Sequence, residues 1–591
     1  MSRFNGKTTS ERKKPIWKRF LKDQEGSVLQ ILGLSAIPLF LATGAAVDMM
    51  RASREQAAFY GAVDAAALAI AGDDKSATAG LDEATLAANK VYLQDLAKKY
   101  ILADYKGDTG SAPSIATDVT VTGQAVTLKS SLTFPTTIMS LAGVQSMTIN
   151  ASSTIKKAMR PIELAIVMDT TGSMASGGKM SGAKSAAHQL LDTIYSGDLA
   201  SQPRSEYLRV SLVPFAAAVR LNPAGYDFDM NWIDTAGLNP LSRTNFDPAS
   251  PAVWNNYYAW TRTKANATTY NTWNGCVEAR MRGVAAAGTD YNVNDAAPTQ
   301  ADGNTLFPAY FVPDVPGTSS SNTTTSTYGS NYIGTSGTPN EYTGLTSTYT
   351  TDSGAYSTTA KLLKKQQNYA KYDGKVIGTE AAPADSAGEG PWQNCAASAV
   401  VPMTYDRATI EAGIDAMSPK GNTVIPEGLA WGMRTISPGA PFTKVQGSGP
   451  IPSAGISPYG DPRWQKVMIM MTDGDNNVNE GSGGYNNSTY SAYGFIGEQS
   501  AYNRFGTTDA TAGANAIDTA MLQACQKIKD SGVELYVTSF GSGISAQSLA
   551  NLKACATDAS HYAHSSTPGD LVSFFDHVGQ NVLNKMIYVS K

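Results

Sequence analysis

Apolar positions along this chain form two kinds of run. The first is continuous. Ser27 to Val47, SVLQILGLSAIPLFLATGAAV, carries no charge, over a length that matches the roughly 20 residues a helix needs to cross a bilayer core. Asp48 to Ala71 continues it as an alanine-rich helix, and Glu83 to Tyr100 reads as a second helix. Asp118 to Thr122 and Ala125 to Phe134 then alternate like strands around Gly123-Gln124. Pro135 to Leu141 is expected as a short helix and Ser146 to Thr154 as a closing strand.

The second kind is short and buried. Glu163 to Met168 is a strand that stops at Asp169-Thr170-Thr171-Gly172-Ser173, and a helical pattern follows from about Lys179 to Tyr195. Strand, polar turn and helix make the first unit of a doubly wound α/β sheet, whose ligands sit at the carboxyl ends of the strands. Tyr207 to Phe215 is the second strand, and after Asn222 the pattern lapses until about Val400. Asp406 to Met417 and Pro426 to Ile436 are helices flanking a glycine-containing loop, Pro419 to Gly428, that carries Thr423. Lys466 to Thr472 is another buried strand, ending at Asp473-Gly474-Asp475. Pro438 to Arg463 and Asn476 to Asp509 read as polar loop excursions. Thr511 to Ser531, Val533 to Phe540, Ser545 to Ala554 and Asp570 to Met586 give helix, strand, helix and terminal helix.

Composition narrows the function classes. A chain of 591 residues accommodates several domains. Its net charge of −4 argues against a general nucleic-acid binder. The basic residues Arg3, Lys7, Arg12, Lys13, Lys14, Lys18, Arg19 and Lys22 precede the apolar run. They orient it with the N-terminus cytoplasmic and the bulk periplasmic or extracellular, a single pass through the inner membrane. A cleavable signal peptide is the alternative, and the run exceeds the usual h-region. Four cysteines allow three connectivities. Cys276–Cys395 with Cys525–Cys555 is the economical choice, since each pair brackets one local unit; free buried thiols are the bland alternative. The Gly317 to Thr359 tract is too polar to build a core alone. The tryptophans Trp232, Trp254, Trp260 and Trp273 either pack the irregular insertion, the preferred reading, or bind sugars or a partner.

Candidate chemistry centres on the turn. Asp169 offers a carboxylate, and Thr171 and Ser173 offer hydroxyls at alternate positions. Such a set suits a hard cation that keeps open positions. The bland alternative is that Asp169 and Ser173 merely cap the next helix. With Thr423 and Asp473 added, the chain resembles the von Willebrand factor A domain and its metal-ion-dependent adhesion site, whose pattern is Asp-x-Ser/Thr-x-Ser, a loop Thr and a strand-end Asp. That resemblance implies Mg²⁺, or Mn²⁺ or Ca²⁺, held by Asp169, Thr171, Ser173 and Thr423, with Asp473 acting mainly through water.

The start of the chain resembles a second family, the TadG-type proteins of Tad (Flp) pilus assembly, over roughly residues 20–75. Gly26-Ser27, Val47-Asp48 and Ala62-Val63-Asp64-Ala65-Ala66-Ala67-Leu68-Ala69 carry it. It implies a cell-envelope role with envelope or pilus-assembly proteins as partners.

The expected organisation is a basic N-terminus (1–26), a transmembrane helix (27–47) and a small pilin-like α+β module (48–158). A Rossmann-like A domain (160–588) follows, with large loop insertions, chiefly at about 222–399. Rival motifs are weak. Asp475, Asn477 and Asn479 hint at a calcium loop, but Glu480 and Asn486 stand where an EF-hand needs Gly and Glu. His188, His561, His564 and His577 form no His-Glu-x-x-His pattern, and neither a Gly-x-Ser-x-Gly elbow nor a phosphate loop occurs. The leading expectation is adhesion or pilus assembly through a metal-dependent contact with a partner carboxylate. The runner-up is a structural scaffold with a stabilising metal, and an enzyme is not expected.

Overall fold

The computed structural model describes residues 27–76, 82–106, 114–122, 125–195, 207–225, 228–263, 273–280, 297–315, 332, 359–373, 390–446, 455–478, 486–496, 504–505, 507 and 509–589. The 317–359 tract and Asn479 with Glu480 therefore lie almost wholly outside the described residues. The chain divides into two compact units, Met1–Ala158 with Val589–Lys591, and Met159–Tyr588.

The first unit begins with α1, Ser27–Ala71, a single helix with Pro38 inside it. Its first half exposes apolar side chains all round, among them Ile31, Leu34, Ile37 and Phe40. The helix is long and apolar enough to cross a membrane, although a signal sequence passes the same test. Its second half is different. Phe59, Ala62, Val63, Ala66, Ala67 and Ile70 are buried at helical spacing. They pack against Leu93, Ala97 and Ile101 of α2, Glu83–Asp104, which Asp82 caps by accepting the Thr85 N–H at 2.7 Å. The same core includes an antiparallel meander of β1, Ser114–Thr122, β2, Ala125–Pro135, and β3, Ser146–Met159. The helix expected over 135–141 is instead one 3₁₀ turn, Met139–Ala142. Pro135 stays in β2, and Thr136 N–H donates to Gln145 O at 3.1 Å, so the segment closes as a hairpin connection.

The second unit is built on a six-stranded sheet. In chain order its elements are β4, Ile162–Asp169; α3, Lys179–Ile194; β5, Leu208–Phe215; then β6, Ala218–Arg220, β7, Cys276–Val277, and β8, Cys395–Ala399. Next come β9, Val401–Thr404; α4, Arg407–Ala416; α5, Ile425–Ile436; β10, Gln465–Thr472; and α6, Ala510–Asp530. The last are β11, Glu534–Phe540; α7, Ala546–Cys555; β12, Tyr562–Ser565; and α8, Pro568–Met586. The strand order is β12-β11-β10-β4-β5-β9, parallel except for the edge strand β9. Every residue of β4, β5 and β10 is buried, as strands covered on both faces require. This is the doubly wound α/β fold with large insertions that the sequence predicts.

The order places a switch point between β4 and β10. From β4 the chain winds one way through β5 and β9; from β10 it winds the other way through β11 and β12. Helix α5 approaches β4 closely because Gly432 faces it; a Cβ there would lie 2.6 Å from Val167 Cγ2. β6, β7 and β8 form a small second sheet at the insertion's root, clamped by Cys276–Cys395 across 119 residues. Cys525–Cys555 ties α6 to α7. Trp254, Trp260 and Trp273 are buried and Trp232 is partly buried, in one core with Trp431 of α5. The 476–509 excursion also contributes to a core, through Tyr490, Ala492, Tyr493 and Ile496.

Candidate metal centre

Two parallel strands deliver two carboxylates side by side. Met168 of β4 is in register with Met471 of β10. One step on, Asp169 ends β4, and just past the end of β10 comes Asp473. Both are buried, at 0% and 3% exposure. Asp169 Oδ1 accepts the Thr171 N–H at 2.8 Å and Oδ2 accepts the Thr472 hydroxyl at 2.6 Å. Asp473 Oδ1 accepts the Ser173 hydroxyl at 2.6 Å, and the Thr171 and Ser173 hydroxyls lie 2.9 Å apart. Three of the predicted oxygens therefore form one hydrogen-bonded chain, which the Thr171 N–H ties to Asp169.

Thr423 arrives on a separate loop, stitched to the first by backbone bonds. Lys420 N–H donates to Thr170 O at 2.7 Å, and Gly172 N–H to Gly421 O at 2.8 Å. Gly421 has φ +82°, and a Cβ there would lie 2.5 Å from Asn394 O, so glycine is needed twice over. Asn477 N–H donates to Thr423 O at 2.8 Å. Thr423 is buried, and its hydroxyl lies 3.7 Å from where a Cβ on Gly474 would stand, beside Asp473.

Neither Asp169 nor Ser173 caps α3. That helix starts at Lys179 behind Gly178, with no side-chain cap.

Sequence reasoning missed two residues. Thr472 orients Asp169, as described. Lys179 Nζ donates to Asp473 Oδ2 at 2.7 Å, with the lysine side chain 19% exposed. Its signal was available: a cation at a helix start opposes the macrodipole, so a specific partner is called for. Burial first, then the neighbouring Asp473 carboxylate, push the Asp169 pKa up to about 6. Two carboxylates facing one ammonium leave the centre short of positive charge. Ser173 and Ala175 to Gly178 are exposed, so the centre opens to solvent along this rim.

The donor set fits a hard divalent ion: two carboxylates and three hydroxyls, all oxygen. Among the described residues, no three His, Cys, Asp or Glu side chains gather as a metal-ligand group, and this centre too has only two carboxylates beside its hydroxyls. Of the calcium-loop residues, Asn479 lies outside the described residues. Asp475 Oδ1 accepts Ser545 N–H at 3.0 Å, and the Asn477 backbone N–H donates to Thr423 O.

No family model and no curated protein matches this chain. It is similar to the solved structure of the pilus adhesin SpaC from Lactobacillus rhamnosus GG, at 10% identity and a TM-score of 0.28, covering 81% of this chain but only 35% of that one. The vWF domain of the type V pili tip protein Mfa5 from Porphyromonas gingivalis matches at 11% identity and 0.28, over 73% of this chain and 97% of that one. Proximal thread matrix protein 1 from the mussel byssus, with a zinc-occupied MIDAS motif, matches at 13% and 0.18, over 72% and 97%. Scores this low leave the fold resting on the strand order and the site on its own residues.

Proposed function

We propose that this chain is a membrane-anchored envelope protein that binds a protein partner through a divalent cation, in pilus assembly or surface adhesion. One observation carries the reading. Two buried carboxylates meet at the switch point of the sheet, one of them paired with Lys179, and open to solvent along the Ser173 rim. Asp169, Thr171, Ser173, Thr423 and Asp473 would hold Mg²⁺, or Mn²⁺ or Ca²⁺. When bound, the ion supplies a Lewis-acidic position for a partner's Asp or Glu. The chain's own residues do the positioning: Thr472 fixes Asp169, Lys179 occupies Asp473 until an ion competes for it, and the Lys420–Thr423 loop is held by Thr170 and Gly172.

The apolar half of α1 is the anchor in this reading, a single inner-membrane pass with the N-terminus cytoplasmic and the bulk outside. The pilus setting is supported by the TadG-like residues 20–75 and the partners by the same likeness. No turnover and no nucleic acid are assigned.

The test is capture of envelope proteins by the full chain, with Mg²⁺ and with EDTA. Asp169→Ala should abolish the metal-dependent capture and leave export intact. Capture that persists unchanged in EDTA refutes the reading. A second reading, a scaffold whose ion only stabilises the fold, is favoured by the burial of Asp169, Thr171, Thr423 and Asp473. There chelation lowers Tm with no specific loss of capture.

A further inference from the structure

The β2–β3 connection is tied to α1 at the level where the apolar run ends. Asp48, 2% exposed, accepts three backbone N–H groups from it: Thr137 at 3.2 Å, Ile138 at 2.9 Å and Met139 at 2.7 Å. Arg51 Nη1 donates to Thr137 Oγ1 at 2.9 Å. Ile138 lies directly over Gly44, where an added Cβ would stand 2.1 Å from its Cγ2. Gly44 is inside the apolar run and Asp48 just beyond it. At about 1.5 Å rise per residue, the two mark a band about 6 Å deep.

From this band the connection turns outward. Thr136 bonds back to Val144 O, and Gly143, at φ +91°, closes the 3₁₀ turn. The tip is apolar and bare. Leu141 is 83% exposed and Val144 40% exposed, and no charged residue occurs from Pro135 to Ile155. On the helix beside it, Val47, Met49 and Met50 are exposed too.

We infer that Leu141 and Val144 form a second, interfacial membrane contact that dips into the outer leaflet beside the helix. The occupant of this apolar patch is lipid, argued from its continuity with the exposed apolar face of α1. The inference rests on α1 spanning the membrane. The Asp48 carboxylate, saturated by three N–H groups, is the fixed strut that sets the turn's height. Interfacial apolar contacts of this kind sit at the headgroup–acyl boundary.

The experiment places an environment-sensitive fluorophore on single cysteines of the full chain in phosphatidylethanolamine–phosphatidylglycerol nanodiscs. The positions are Leu141→Cys, Leu39→Cys in the apolar run and Thr120→Cys on the exposed sheet. All three native residues are exposed, so the fold is retained. Nitroxide on a shallow acyl position should quench the label at 141 at least twofold, nitroxide near the acyl terminus should do the same at 39, and neither should change 120. Quenching at 39 with none at 141 overturns the inference while the span stands. No quenching at 39 means the span itself is wrong, and the inference falls with it. Protection at 141 that depends on protein concentration and not on lipid gives the patch to a second copy of the chain, which also overturns it.

Discussion

Strands β4 and β10 carry charge at both ends, and the two ends use it differently. At the amino end, Glu163 Oε1 accepts Arg209 Nη1 at 2.8 Å and Ser457 N–H at 2.9 Å. Its Oε2 accepts Ser457 Oγ at 2.7 Å and the Lys466 ammonium. The Arg209 guanidinium also lies 3.9 Å from the Trp464 ring centre. One buried anion meets two buried cations, and both its oxygens are filled by the chain. At the carboxyl end, two buried anions meet one partly buried lysine. The first end is closed and ties Gly455 and Ser457 to the start of the sheet. The second is under-compensated and has room for a visiting cation. Burial of charge alone does not mark a ligand site; the local charge balance and an open rim do.

The largest effect should come from opening the closed end. Glu163→Ala leaves Arg209 and Lys466 buried without their anion, and breaking such a pair costs about 3–5 kcal/mol. Denaturant unfolding measures it. Divalent binding by the folded fraction should be unchanged, because the lock lies at the opposite end of the strands. A loss below about 1 kcal/mol would equate this cluster with ordinary surface pairs and end the comparison.

Next is Asp169→Asn. A ligand at a hundredfold its Kd stabilises the native state by about 2.7 kcal/mol. That Mg²⁺-dependent rise in Tm should disappear in the variant. Without metal, the variant should be at least as stable as the parent, since a repelling buried carboxylate has gone. A metal-dependent rise that survives would sink the assignment of Asp169.

The third test is pH without metal. The Asp169 pKa is raised in the folded state, from 3.8 to about 6. The native state therefore holds its proton more tightly than the unfolded chain does. Stability from this group is fully present below pH 3.8 and is lost as pH rises through about 6, on the order of 3 kcal/mol at most. Unfolding midpoints of parent and Asp169→Asn, compared from pH 4 to 7, isolate it. A flat difference between them would show that Asp169 ionises freely.

The two ends were unequally legible in the sequence. Asp169, Thr171 and Ser173 announce themselves because alternate oxygens follow a buried strand, and Asp473 because it ends another. The closed end was hidden. Glu163, Arg209 and Lys466 each look like a polar residue starting a strand, and nothing local says that three neighbouring strands bring them together. The 476–509 excursion looked polar because Ser, Gly and Asn dominate it, yet Tyr490 and Tyr493 are buried. A single aromatic ring supplies more apolar area than several small polar neighbours take away. The tryptophans of the insertion follow the same logic: Trp260 stacks on Trp392 at 5.6 Å, and Phe307 lies 5.0 Å from Trp431.

The smallest expected effect is the sharpest on the comparison, because it alters the charge balance of the open end alone. Lys179 is the chain's own cation at the site, 2.7 Å from Asp473. A divalent ion approaching Asp473 meets that ammonium as a like charge and as a competitor for the same oxygens. Lys179→Met keeps the aliphatic length beside Gly541, where a Cβ would lie 2.9 Å from Lys179 Cε. It should tighten Mg²⁺ binding about fivefold, or about 1 kcal/mol, the upper range for a partly exposed pair. The same change should lower metal-free stability, because Asp169 and Asp473 then face each other with no cation nearby. Isothermal titration and unfolding on one preparation read both signs. Weaker Mg²⁺ binding in the variant would make Lys179 a support for the bound state, and the open end would then be no more short of charge than the closed one.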